Sequence, residues 1–165
     1  MGNMIELKSA DGTLVPAYEA RPVGTPKGAV VVIQEIFGVN SHIRQVADGY
    51  AAQGYVAVAP AAFHRVKPGV ELGYAEADMG EGFGYKTAVE ALPAPGVMQD
   101  IQAAIDHAAQ VSGCKVGMVG YCVNWKTFYS FALPLKVGEL LFILIYIKLI
   151  IWPIAIASMV NFYLA

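Results

Sequence analysis

The stretch Ala29-Val30-Val31-Val32-Ile33 decides the fold of this 165-residue chain. All five residues are apolar, and no polar residue alternates with them. Such a run predicts a strand that is buried on both faces, as in the parallel sheet of an α/β protein. Residues 55–59 and 115–119 are predicted as further strands of the same sheet, and residues 3–8 and 13–20 are expected to pair as an N-terminal hairpin.

Amphipathic segments separate the three inner strands. The first begins after Asn40 or Ser41, either of which can cap a helix, and stops at Gly54. The second lies within residues 95–113. This alternation of strands and helices predicts an α/β protein with a doubly wound, mostly parallel sheet. In sheets of this kind the chemistry lies at the carboxyl ends of the strands.

The composition excludes several classes of function. The formal net charge is −2 and no basic run is present, which argues against a nucleic-acid partner. Cys114 and Cys122 are too few for a disulfide framework, and their spacing is not C-x-x-C. We therefore expect a reducing, cytoplasmic location. No cofactor and no metal ion is predicted.

The chain changes character at Cys122. Every Asp and every His precedes it. The charged residues that follow it are Lys126, Lys136, Glu139 and Lys148. We expect residues 1–122 to form the N-terminal part of an α/β domain and residues 123–165 to form a divergent, apolar, helical tail. Residues 140–160 are long and apolar enough for a possible membrane segment, although a central Lys costs about 2.5–3.5 kcal/mol on insertion scales.

The sequence Gly120-Tyr121-Cys122-Val123-Asn124 directly follows a predicted strand. It looks like the nucleophile elbow G-x-[S/C]-x-G, with Asn in place of the final Gly. A thiolate is the attacking form of Cys, and the start of a helix favours that form. A bare G-x-C pattern is more often a buried structural Cys at a strand end. The pattern alone leaves both interpretations open.

Three separated motifs carry a family resemblance. They are QEIFGVN at residues 34–40 with HIR at 42–44, GYVAVAP at 54–60, and the strand and elbow at 115–122. Together, in this order and spacing, they resemble the dienelactone hydrolase (carboxymethylenebutenolidase) family. The resemblance covers residues 3–122, and it favours the catalytic interpretation of the elbow.

The resemblance implies an α/β-hydrolase fold with a Cys-His-Asp triad. It implies hydrolysis of an enol-lactone or a related small ester, without a cofactor. Cys122 would be the nucleophile, and Glu35 would interact with the resting thiol and aid its activation. The backbone N–H groups of Ile36 and Val123 would form the oxyanion hole.

The chain departs from the family pattern after the elbow. Asn124-Trp125 stands where the family has a Gly pair, and no Asp or His follows to complete a triad. No Arg follows Arg65, although some family members bind substrate through one. Two alternatives to an active enzyme therefore remain: an inactive, truncated or frameshifted remnant of the family, or a non-catalytic binding protein attached to a membrane by residues 140–160. Uncovered apolar surface of an incomplete sheet also predicts self-association.

Overall fold

The computed structural model describes residues 1–121 and the strand at residues 142–143. Its strands are β1 (Asn3–Lys8), β2 (Leu14–Ala20), β3 (Gly28–Ile33), β4 (Tyr55–Pro60), β5 (Val116–Gly120) and β6 (Phe142–Ile143). Its helices are α1 (Ser41–Ala52), α2 (Glu76–Glu90) and α3 (Met98–Ser112). The predicted strands and helices before Cys122 are all present, and their bounds differ from the expected ones by a few residues at most.

The strands form one sheet in the order β1-β2-β4-β3-β5-β6. β3 pairs in parallel with β4 on one side and with β5 on the other, and β5 pairs in parallel with β6. Only the N-terminal hairpin and its contact with β4 are antiparallel. The mostly parallel sheet predicted from the sequence is therefore confirmed.

The two faces of the sheet are covered by different helices. Val31 packs in the cluster that includes Ile105 of α3, whereas Val32 packs in the cluster that includes Ile43 of α1. Both valine side chains are completely buried. Because alternate residues of β3 face opposite helices, the strand needs apolar residues at every position, and this explains its uninterrupted run.

Asn40 caps α1 and so settles the choice between the two predicted caps. Its side-chain Oδ1 accepts a hydrogen bond from the Ile43 N–H at 3.2 Å. Its Nδ2 donates to the carbonyl oxygen of Leu72 at 3.1 Å. One side chain therefore both starts the helix and holds the segment that precedes α2.

The predicted apolar tail lies mostly outside the described residues. Of the tail, the structure describes the short strand β6 alone. Among the helices that the structure describes, none has the length and apolarity to cross a membrane. The predicted membrane segment at residues 140–160 lies outside the described residues except for that strand.

Candidate active site

The carboxyl ends of β3 and β5 lie side by side. Ile33 is level with Gly120 in the parallel register, and the Tyr121 N–H donates to the Ile33 carbonyl oxygen at 3.2 Å. The chain segments that leave these two strands therefore begin at the same point of the sheet edge. Glu35 and Ile36 follow β3, while the predicted Cys122 and Val123 follow Tyr121 and lie outside the described residues.

Glu35 has a side-chain partner that the sequence analysis missed. Its Oε2 accepts a hydrogen bond from the phenol of Tyr74 at 2.8 Å. Partial desolvation and the nearby carboxylate raise the pKa of Tyr74 to about 12. The two residues are 39 positions apart, and no motif or spacing in the sequence links them.

Tyr74 is brought to Glu35 by a short segment, residues 70–74, which we call the strap. The Leu72 N–H donates to the carbonyl oxygen of Phe37 at 2.9 Å. Next to this contact, Glu71 forms a backbone β-bridge with Gly38. Its carboxylate also forms a bidentate ion pair with Arg44, at 2.7 and 2.8 Å. These contacts fasten the strap along the loop that follows β3.

Aromatic rings connect the strap with the end of β5. The Tyr74 ring lies on Phe37, with centroids 4.5 Å apart. The ring of His42 meets Tyr74 and Tyr121 edge-on, at centroid distances of 6.4 and 6.3 Å. Burial, the neighbouring Tyr50 hydroxyl and the charge of Glu35 raise the pKa of Tyr121 well above its usual range. His42 therefore lies between Tyr74, which binds Glu35, and Tyr121, the residue before Cys122.

Ile36, the residue after Glu35, lies in close contact with α2. The residue is buried, and within residues 1–121 its N–H donates no hydrogen bond. Its carbonyl oxygen faces α2, where the helix comes so close that a Cβ on Gly82 would lie 2.3 Å from it. The role of this N–H in an oxyanion hole stays a prediction.

The close approach of α2 to Ile36 depends on a glycine, which leads to a prediction. We expect Gly82→Ala to lower the free energy of unfolding by about 1–3 kcal/mol, because helix and loop must separate to admit the methyl group. Gly84→Ala is the control in the same helix. It has no atom within 4 Å of the added Cβ and should raise stability by about 0.5–1 kcal/mol. Chemical denaturation of both variants tests this opposition in sign, and two changes of the same sign would contradict it.

A buried ionic network anchors the loop after β4 at the same edge. Asp100 of α3 has no exposed surface, and its two carboxylate oxygens accept from Arg65 Nε and Nη2, each at 2.7 Å. Ser9 also donates to this carboxylate, and Arg65 Nη1 donates to Asp11 at 2.8 Å. The hydrogen bonds from Arg65 hold the pKa of Asp11 well below its usual range.

Within the described residues, no three His, Cys, Asp or Glu side chains lie together as they would to bind a metal ion.

Comparison with known proteins identifies the family of the chain. The model of the dienelactone hydrolase family matches residues 15–133. The chain belongs to the dienelactone hydrolase family. It is 38% identical over 125 residues to a Synechocystis protein named "Putative carboxymethylenebutenolidase". The aligned region covers 73% of this chain and 50% of that protein.

Two further comparisons agree with the family. The carboxymethylenebutenolidase of Pseudomonas putida is 36% identical over 122 residues, covering 73% of this chain and 51% of that enzyme. The crystal structure of a "Putative Dienelactone Hydrolase" from Klebsiella pneumoniae superposes with a TM-score of 0.59 at 30% identity, over 74% of this chain and 50% of that one.

These dienelactone hydrolase relatives confirm the family resemblance and the α/β-hydrolase fold predicted from the sequence. The chain spans about half the length of the curated relatives it matches. The family is one of hydrolases, and the family match continues past Cys122 to residue 133.

Proposed function

We propose that this chain is a hydrolase of small carboxylic esters or lactones, with Cys122 as its nucleophile. The observation that carries the proposal is the position of Glu35. Its carboxylate is held by Tyr74 in the loop after β3, the end of β3 lies beside the end of β5, and Cys122 is the second residue after β5. A carboxylate near a thiol can accept the thiol proton, and the thiolate is the reactive nucleophile.

The proposed acylation uses the two backbone donors of the family pattern. Glu35 accepts the Sγ proton of Cys122, and the thiolate attacks the carbonyl carbon of the ester. The Ile36 and Val123 N–H groups bind the resulting oxyanion. When this intermediate collapses, the C–O bond breaks, the alcohol oxygen leaves with the proton from Glu35, and a thioester remains on Cys122.

Deacylation returns the chain to its starting state. Water attacks the thioester and gives a proton to Glu35, the S–C bond breaks, and the departing thiolate takes that proton. The products are a carboxylic acid and the free thiol.

Acylation by p-nitrophenyl acetate tests the proposal. We expect the full chain to release one nitrophenolate in a burst and to carry one acetyl group on the Cys122 peptide, as read by mass spectrometry. Cys122→Ala should lose both signals completely. Cys114→Ala removes the other cysteine, whose Sγ lies 3.6 Å from the Pro26 carbonyl oxygen, and should retain both. An unchanged burst in Cys122→Ala would overturn the assignment.

A second candidate is a chain that acylates but does not turn over. It is favoured by the sequence after Cys122, which contains no Asp and no His to drive deacylation. The same experiment separates the two candidates. A burst followed by steady release indicates a hydrolase, whereas a burst with no further release indicates an inactive family member that retains the nucleophile.

The proposal extends to the organisation of the chain. Residues 1–122 act as the hydrolase-like part, and residues 123–165 form a divergent apolar tail, of which the strand β6 joins the sheet beside β5. The reduced thiol that the mechanism requires is maintained in the cytoplasm. Attachment to a membrane through residues 140–160 and self-association through apolar surface are the alternatives that the composition of this segment favours.

A further inference from the structure

The Glu35 carboxylate is restrained at one oxygen and free at the other. Oε2 accepts the hydrogen bond from Tyr74, while Oε1 makes no hydrogen bond within the described residues. A carboxylate held in this way keeps a fixed orientation and still has an oxygen available to accept a proton. The phenol is therefore placed to orient a base and does not block it.

The contact between Tyr74 and Glu35 is supported from several directions. The Tyr74 ring packs against Phe37 at an interplanar angle of 58°, and this contact restricts its side-chain torsions. The strap that carries it is hydrogen-bonded to the loop of Glu35 itself, through Leu72 and Phe37. Tyr74 is 56% exposed, so burial of its ring by itself does not explain why it lies at this place.

We propose that Tyr74 is a positioning residue for Glu35, and that its phenol sets how readily the Cys122 thiol ionises. This inference rests on the proposed function. A phenol that donates to an ionised carboxylate fixes the orientation of that group. Without the phenol, the free oxygen of Glu35 loses its fixed orientation, so it accepts the proton of the Cys122 thiol less readily. The thiolate fraction is then lower.

Other charged and titratable groups face this part of the site. Within the described residues they are Tyr121 after β5, His42 at the start of α1, and the Arg44–Glu71 ion pair beside the strap. Replacing Tyr74 by Phe removes none of these groups, and the Phe ring keeps the contact with Phe37. The substitution therefore isolates the hydroxyl.

The rate of alkylation of Cys122 by iodoacetamide, measured against pH in the full chain, tests the inference. We expect Tyr74→Phe to slow alkylation of the Cys122 peptide about tenfold at neutral pH and to shift the profile about one unit upward. At high pH, where the thiol is fully ionised, the two rates should converge. A substitution that altered only the access of the reagent to Cys122 would instead change the rate at every pH.

Two further variants make the result decisive. Tyr85→Phe removes a phenol that donates to Glu81 on α2, and it should leave the profile unchanged. In a Glu35→Gln background, Tyr74→Phe should have no additional effect, because the two residues act through one contact. A reactive Cys122 with identical profiles for wild type and Tyr74→Phe would overturn the inference alone. An unreactive Cys122 in the wild type would overturn the proposed function.

Discussion

Asp100→Ala is expected to lower the free energy of unfolding by about 3–5 kcal/mol, because it breaks a buried ionic network from one side. The substitution removes the two Asp100 oxygens that accept from Arg65, and one of them also accepts from the Ser9 hydroxyl. Within the described residues, Arg65 then keeps its contact with Asp11, which is partly exposed to solvent. The loss is large because the remaining buried donors cannot recover their hydration.

Equilibrium unfolding in urea measures this loss. Asp106→Ala is a matched control in the same helix, because Asp106 is exposed and accepts one hydrogen bond from Gln102 at 2.8 Å. We expect the control to change stability by less than about 1 kcal/mol. Equal effects of the two substitutions would show that burial of the Asp100 network does not stabilise this edge of the sheet.

Gly38→Ala is expected to lower the free energy of unfolding by about 2–5 kcal/mol, through two separate costs. Gly38 has a φ of +81°, a left-handed conformation that costs an L-residue about 1–2 kcal/mol. The added Cβ would also lie 1.9 Å from the carbonyl oxygen of Val70, so the strap would have to move away. Such overpacking typically costs about 1–3 kcal/mol.

A second glycine separates the two costs. Gly69 has a φ of +70° and no atom within 4 Å of an added Cβ, so Gly69→Ala reports the conformational cost alone. Gly38→Ala should therefore be clearly less stable than Gly69→Ala in urea unfolding. Because the strap carries Tyr74, Gly38→Ala should also shift the alkylation profile of Cys122 upward, as Tyr74→Phe does. Equal stabilities would show that the strap yields without strain.

The motifs at the strand ends predicted candidate site residues, which the periodicity of apolar residues does not identify. Glu35 was assigned from the family resemblance, and the structure locates it at the end of β3 beside the end of β5. Its role and that of Ile36 stay predictions, as do those of Cys122 and Val123, which lie outside the described residues. Tyr74 was missed because the region before α2 contains no apolar period and no motif that relates it to the loop after β3.

The sequence by itself determined the order of strands and helices and the family of the chain. The buried runs of β3 and β4, the cap at Asn40 and the three motifs are local features, and local features can be read without knowing which segments meet. Only the tertiary structure decided the contacts between distant segments. Tyr74 reaches Glu35 across 39 positions and Ser9 reaches Asp100 across 91. Such contacts depend on how loops pack over the sheet edge, which no repeating pattern along the chain encodes.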